Sequence, residues 1–340
     1  MTKENDKATE FEEIAKNLFV IRLASRIPAI KLPVNLYFFA GEDGLLWDAG
    51  YGGELAMAKM KRILEAIRKK MAERGEKCAV KRILVSHAHL DHFSGLSGLK
   101  KLTGAKVLLT ANQAKKIKDY PSFKNAWRGK PEDIWGRLPF IYHYLDRIVF
   151  KLEEWFYGIS FLPEPDEIIP ETGVLRAGSR ILQYFPIPGH ADDHLALYDA
   201  AEGLLLAGDH VMHRTTWLGA PLGDIEAYEK SLIRLKELNP LKRILPAHGS
   251  PIEDPLPHLE KTLERSGKRR GKIRRILEKA GGKGLSYFEI IGEAYPKASV
   301  FYRLSAHGWV IASLQALLKK GEIGLRYKRG QQFFSKKPKA

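Results

Sequence analysis

The chain has 340 residues, of which 44% are hydrophobic and 28% charged, and its formal net charge is +16. That length suits two domains, or one with a large appendage, and the apolar share excludes wholesale disorder and low-complexity arrays. A single cysteine, Cys78, excludes an intrachain disulfide and a cysteine-built metal cluster. No run of 18 apolar residues is present, so no membrane span is expected. The charged segment Met1–Glu13 lacks the apolar centre of a signal peptide, which predicts a cytoplasmic protein.

Strands are predicted over Leu18–Leu23, Val34–Phe39 and Leu45–Trp47, with a turn at Gly41–Gly44. A helix follows over 55–73, where Leu55, Met60, Ile63, Leu64, Ile67 and Met71 recur near 3.6-residue spacing. An apolar strand, Ile83–Val85, stops at Ser86. Further strands are predicted at Lys106–Leu109, Ile181–Ile187, Leu195–Tyr198, Leu204–Ala207 and Arg243–Leu245, with helices such as Ala227–Leu238 between them. A meander that gives way to alternating strand and helix predicts an α+β fold with two helix-covered sheets.

Residues 120–165 interrupt this rhythm with Phe123, Trp127, Trp135, Phe140, Tyr142, Tyr144, Phe150, Trp155, Phe156, Tyr157 and Phe161. Such an insert either caps a substrate pocket or buries its rings in a small core or subunit contact; the large apolar payload of aromatic rings favours burial for most of them. From Pro255 onward, helices at 256–280, 286–294 and 299–320 precede a hairpin of Ile323–Tyr327 and Gln332–Ser335, the layout of a winged helix. The expected domains are therefore 1–254 and 255–340. Residues 251–340 hold 20 Lys/Arg against 8 Asp/Glu, a net +12 that leaves +4 for the rest. A basic tail on a near-neutral body points to an anionic partner or to a solvated surface.

Eight of the eleven histidines fall in short clusters: His87, His89 and His92; His190 and His194; His210 and His213; and His248. The first cluster, Ser86-His87-Ala88-His89-Leu90-Asp91-His92, leaves the end of an apolar strand, where a turning chain brings side chains around one point. Imidazole and carboxylate donors without thiolate suit zinc, iron or manganese. Pro188-Gly189-His190, Gly208-Asp209 and Pro246-Ala247-His248-Gly249 also close strands, and their glycines allow the backbone to turn tightly.

With HAHLDH, PGH, GD and PAHG in that order, residues 15–250 resemble the metallo-β-lactamase superfamily. The resemblance implies a four-layer αββα sandwich with its site at one edge between two sheets. It also implies that Asp48, in Leu46-Trp47-Asp48-Ala49-Gly50, is structural. By the same resemblance His87, His89 and His190 hold one metal, Asp91, His92 and His248 a second, and Asp209 bridges them. The stretch His190-Ala191-Asp192-Asp193-His194-Leu195-Ala196-Leu197-Tyr198 and the basic tail look like the lactamase-beta-2-like subgroup, and the full ligand set is similar to that of glyoxalase II. Some members of that subgroup cleave single-stranded RNA.

The resemblance thus implies two divalent ions, zinc before iron or manganese, which would supply a water that ionises near neutral pH and would polarise the bond attacked. Asp91 is expected to orient that water or take its proton. His194 is a candidate for the substrate pocket or for supporting a ligand. His210 and His213 are read as satisfied or exposed, and His143, His258 and His307 as structural. Neither a phosphate-binding Gly-rich loop nor a Gly-x-Ser-x-Gly elbow is present.

Three functions fit this pattern. The first is hydrolysis of a small ester, thioester or lactone. The second is an endoribonuclease, in which Lys268, Arg269, Arg270, Lys272, Arg274, Arg275 and Lys279 hold single-stranded RNA. The third is an iron-dependent redox enzyme. Homo-oligomerisation is left open.

Overall fold

The computed structural model describes residues 10–27, 33–127, 150–218, 223–298, 300–328 and 331–337, with the side chains of 127, 300–305 and 307 excepted. A seven-stranded sheet runs in chain order through β1 (Phe11–Ala15), β2 (Leu18–Leu23), β3 (Val34–Phe39), β4 (Gly44–Trp47), β5 (Val80–Leu84), β6 (Lys106–Thr110) and β7 (Glu167–Ile169). The first four strands pair antiparallel, and β4 to β7 pair parallel. Parallel neighbours require crossovers. These are α1 (Glu54–Ala72); α2 (Leu90–Phe93) with α3 (Leu96–Thr103); and α4 (Ala111–Ile117), α5 (Tyr120–Trp127) and α6 (150–157).

The second sheet contains β8 (Gly173–Ala177), β9 (Arg180–Pro186), β10 (Leu195–Asp199), β11 (Leu204–Gly208) and β12 (Arg243–Pro246), in the order β12-β11-β10-β9-β8, with α7 (Ile225–Lys236) crossing from β11 to the parallel β12. The two-residue period of a strand sends alternate side chains to opposite faces. Leu18, Val20, Tyr37 and Trp47 therefore meet Leu182, Tyr184, Leu197 and Leu206 between the sheets. Phe19, Ile21, Leu36 and Phe38 face Met60, Ile63, Ile67 and Met71 of α1. Phe185, Ala196, Tyr198 and Leu205 meet Tyr228, Leu232 and Leu235 of α7. The result is the expected αββα sandwich. Both faces of each sheet are covered, which is why the central strands read as near-continuous apolar runs.

Leu55, counted in the apolar stripe of α1, is 73% exposed. It lies five residues before Met60, about 140° around the helix from it. The short strands β1, β7 and β8 escape the sequence pattern; β8 is a sheet edge whose first four residues alternate between half-buried and exposed.

Most of the described aromatics of the insert serve the core. Phe123 is buried in the cluster on the α1 side of the first sheet, and Phe150, Phe156, Tyr157 and Phe161 pack against it. Trp155 is exposed, with the Arg26 guanidinium 5.4 Å from its ring centre. Trp135, Phe140, Tyr142, Tyr144, His143 and the side chains of Trp127 and His307 lie outside the described residues.

The tail follows the expected layout: α8 (Pro255–Ala280), β13 (Leu285–Ser286), α9 (Tyr287–Ala294), α10 (Val300–Lys319), β14 (Ile323–Lys328) and β15 (Gln331–Lys336). Its three-stranded sheet is ordered β13-β15-β14. Ile276, Leu277, Ile290, Leu314, Leu317 and Phe334 form its core. The tail is also fastened to the body. Leu259 of α8 and Trp309 and Ala312 of α10 are buried in the cluster beneath the second sheet. Apolar on two faces, α10 is clamped between two cores. Among the described residues, no helix is long and apolar enough to cross a membrane.

Candidate metal centre

Four strand ends converge at one edge of the sandwich. After β5 the chain runs through His87 and His89 into the single turn of α2, which carries Asp91 and His92. His190 follows β9, Asp209 follows β11 and His248 follows β12. Two glycines make the approach possible. At Gly189, with φ +139°, a Cβ would sit 2.3 Å from the Tyr228 Cα, and at Gly208, with φ +50°, it would sit 2.7 Å from the His194 ring.

The side chains form two groups, His87/His89/His190/Asp209 and Asp91/His92/Asp209/His248, whose donor atoms lie within 4.8 Å of one another in each group. His190 Nε2 is 3.2 Å from His87 Nε2 and 3.0 Å from His89 Nδ1. Asp209 belongs to both groups. Its Oδ2 lies 3.7 Å from His190 Nε2, while its Oδ1 lies 3.6 Å from His92 Nε2 and 3.5 Å from His248 Nε2. Asp91 Oδ2 is 3.1 Å from His248 Nε2 and 3.7 Å from His92 Nε2.

Oxygen acceptors behind the rings fix the tautomers. His92 Nδ1 faces Asp48 Oδ2 at 3.0 Å, His190 Nδ1 faces Trp217 O at 2.7 Å, and His248 Nδ1 faces Pro33 O at 2.8 Å. A carbonyl or carboxylate oxygen only accepts, so each Nδ1 carries a proton and each ring directs its Nε2 into the cluster. Asp48 also accepts from Ser86 N at 2.7 Å, which ties the start of the histidine loop to β4. It is thus a supporting residue, as the resemblance implied. Thr216 donates its hydroxyl to Asp209 O at 2.5 Å and lies 3.2 Å from His190 Nδ1. Asp193 accepts from Ala88 N at 2.9 Å and pairs with the buried Lys116 at 2.9 Å.

Burial pushes His87, His89 and His190 below the usual imidazole range, and the like-charged neighbours of His87 add to it. They stand neutral. Burial also opposes protonation of His92 and His248, but the facing carboxylates outweigh it and raise both. Burial alone would raise the Asp209 carboxyl; His248 and His92 instead hold it well below the carboxylate range.

These donors fit divalent ions. Tetrahedral ligands at 2.0–2.1 Å from zinc are about 3.3 Å apart, close to the nitrogen separations around His190. His92 Nε2 and Asp209 Oδ1 are buried and have no hydrogen-bond partner among the described residues.

His194 has no exposed surface; it stacks on His87 at 4.6 Å between ring centres, and its Nε2 accepts from Asp209 N at 3.3 Å. His210, read from the sequence as satisfied or exposed, is not exposed. It is fully buried, its ring centre lies 4.6 Å from that of Tyr228, and burial pushes it down to about 3. His213 is exposed, with Nε2 3.2 Å from Pro251 O, and His258 Nε2 is 3.0 Å from Met212 O.

Several tail cations are engaged within the protein. Arg269 donates to Thr215 Oγ1 at 2.8 Å and lies 4.6 Å from the Trp309 ring centre. Arg270 pairs with Glu229 at 2.9 Å, Arg274 with Glu322 at 2.8 Å and Lys268 with Glu264 at 2.5 Å, and Lys272 lies 4.9 Å from the Tyr295 ring centre. Sequence reasoning missed Thr216, Trp217 and Trp309. Trp217 and Pro33 act through backbone carbonyls, which no residue type announces. Asp193 had a signal, the paired acids before His194.

Residues 29–248 match the family model described as the metallo-beta-lactamase superfamily. A beta-lactamase-like protein 2 homolog of Drosophila melanogaster is 25% identical over 263 residues, 77% of each chain. A protein of Bacillus subtilis called probable metallo-hydrolase YqjP is 23% identical over 278 residues, covering 77% of this chain and 81% of its own. Among solved structures, a metallo-beta-lactamase family protein of Thermus thermophilus superposes with a TM-score of 0.68 at 22% identity, over 96% of this chain and all of its own. A beta-lactamase domain protein of Burkholderia ambifaria gives 0.72 at 18% identity, over 96% of this chain and 93% of its own. At such identities the two superpositions establish the fold, tail included.

Proposed function

The chain belongs to the metallo-beta-lactamase superfamily, and from that membership we propose that His87, His89, His190, Asp91, His92, His248 and the bridging Asp209 form the dinuclear centre of a hydrolase acting on an ester, thioester or lactone. The protein is a metal-dependent hydrolase; the substrate class and the individual roles are our reading. The observation that carries it is Asp209, which turns one carboxylate oxygen toward each group of donors.

When bound there, two divalent ions, zinc in our reading, supply a Lewis acid and a water acidic enough to react at neutral pH. The chain's own part is preorganisation. His87, His89 and His190 offer neutral nitrogens, Asp48 and the carbonyls of Trp217 and Pro33 hold the other rings in place, and Asp209 remains an anion. We assign Asp91 the reception of a proton from the attacking water, beside His248 Nε2. His194 steadies the Asp209 backbone. We place the boundary between catalytic body and tail at 254/255, where α8 begins.

The RNA-cleaving reading comes second. The net +12 of residues 251–340 favours it, and a relative named as a beta-lactamase-like protein 2 homolog supports the subgroup on which it rests. The burial of α10 and the internal contacts of Arg269, Arg270 and Arg274 favour a small substrate. Metal analysis of the purified protein, with a panel of thioesters, lactones, phosphodiesters and single-stranded RNA, tests both. Two ions per chain and turnover of a carbonyl substrate are expected. Asp209→Ala is expected to lower occupancy at both positions; full occupancy with full activity in that variant refutes the assignment.

A further inference from the structure

Helix α4 starts on a capping box formed by Thr110 and Gln113. Gln113 and Lys116, three residues apart, lie on one face of the helix, and both are buried, Lys116 at 5% exposure. That face meets two loops from different sheets: residues 85–89, which leave β5, and residues 190–194, on the connection from β9 to β10. Gln113 Nε2 donates to Val85 O at 3.1 Å and to Asp193 O at 3.3 Å. Lys116 Nζ donates to Asp193 Oδ1 at 2.9 Å and also to Asp192. Leu195 N adds a backbone tie to Ser86 O at 2.8 Å.

Asp193 is buried, and its carboxylate uses both oxygens. While Oδ1 meets Lys116, Oδ2 accepts from Ala88 N at 2.9 Å. Ala88 lies between His87 and His89, which belong to the same donor group as His190. Fixing the direction of that peptide N–H fixes how the segment is rotated about its own axis, and so where both rings point. Stability does not account for such a pair: desolvation of two ions offsets most of their attraction, and an apolar pair of similar volume is often as stable. What the pair supplies is direction, a charge-assisted acceptor held on the Ala88 N–H.

We propose that Asp193, aimed by Lys116 and Gln113, is a positioning residue that holds His87 and His89 against His190, across the gap between the two sheets, in the arrangement that accepts a metal ion. The inference rests on the dinuclear reading above and adds to it a device confined to one group of donors. His92 and His248 hang on other supports, Asp48 and the Pro33 carbonyl. Loss of the Asp193 acceptor therefore weakens the His87/His89/His190 group and spares the Asp91/His92/His248 group.

Two double variants separate positioning from packing. Lys116→Met/Asp193→Asn and Lys116→Met/Asp193→Leu both remove the buried charges together, so neither leaves an unpaired ion. Of the two, the Asn variant alone keeps an oxygen that accepts from Ala88 N. Each is made in His248→Ala, which leaves the first group to be titrated by itself, and in His89→Ala, which leaves the second. Zinc affinity is measured by chelator competition, and thermal melts check folding; Lys116→Met/Asp193→Ala, which loses the same acceptor with a smaller side chain, replaces the Leu variant if that one does not fold. In the His248→Ala background the Leu variant is expected to bind zinc roughly tenfold more weakly than the Asn variant, and in the His89→Ala background the two are expected to agree within about twofold. Equal zinc affinity of the two variants in the first background overturns the proposal. An equal loss in both backgrounds also overturns it, because that is the mark of general destabilisation. Failure of the dinuclear reading shows earlier and separately, as absence of zinc binding in the His248→Ala and His89→Ala parents, and takes the proposal with it.

Discussion

Replacing Trp309 with Phe tests whether the tail helps to build the metal centre. Trp309 is 5% exposed, and its indole N–H donates to Thr216 O at 2.8 Å. Thr216 in turn holds the Asp209 carbonyl and touches His190 Nδ1. Phenylalanine keeps most of the packing but loses the donor, leaving a buried carbonyl at a cost of about 1–3 kcal/mol. The smaller ring adds roughly 1 kcal/mol of lost contact. With an unfolding entropy of about 2.1 cal/mol/K per residue, 340 residues give roughly 0.7 kcal/mol/K, so a loss of about 2–4 kcal/mol lowers Tm by roughly 3–6 °C. Supporting partners of metal ligands typically contribute 10–100-fold in affinity. Thr216 is one step removed from the ligands, so a loss of up to about tenfold is expected. Chelator competition measures that affinity. Leu314→Ala serves as the control, since Leu314 is buried in the tail core and does not reach the loop. It is expected to lower Tm without changing metal affinity. If Trp309→Phe also loses stability while binding metal as tightly as the wild type, the tail is only a prop and the reasoning fails.

Three further predictions follow from single contacts. Asp48→Asn tolerates the φ of +67° at this position but presents an amide N–H to His92 Nδ1, which drives the imidazole proton onto Nε2; metal affinity at the His92 group is expected to fall about 10–100-fold, measured by metal-buffer titration. Gly189→Ala puts a Cβ 2.3 Å from the Tyr228 Cα; thermal melts are expected to show marked destabilisation, and metal analysis a loss at the His190 group. Glu13 is held down to about 2 by its hydrogen bond to Arg74, with Lys70 assisting. Because its folded value is depressed, the stability it contributes is complete above the ordinary carboxyl range near 4.5 and is lost as pH falls toward 2. Denaturant melts across that window are expected to show a shallower acid loss in Glu13→Gln, and an unchanged slope contradicts the assignment.

The sequence by itself determined whatever depends on neighbours along the chain. Apolar strands flanked by turns fixed most of the two sheets, because alternation and strand length are local properties. The run from His87 to His92 showed metal chemistry because six residues leaving one strand cannot scatter far. The helix-strand spacing of the tail fixed its layout.

Tertiary structure decided what depends on residues far apart in the chain. His190, Asp209 and His248 join the first cluster across sequence separations of 100 residues and more, and only the stacking of two sheets places their strand ends at one edge. The direction of each Asp209 oxygen, the burial of His210 and the backbone acceptors at Pro33 and Trp217 follow from that stacking. The spacing of Arg269, Arg270 and Arg274 suggested a basic face, yet their partners are Trp309, Glu229 and Glu322. A helix's pattern shows which residues share a face; which neighbour meets that face is set by how α7, α8 and α10 pack.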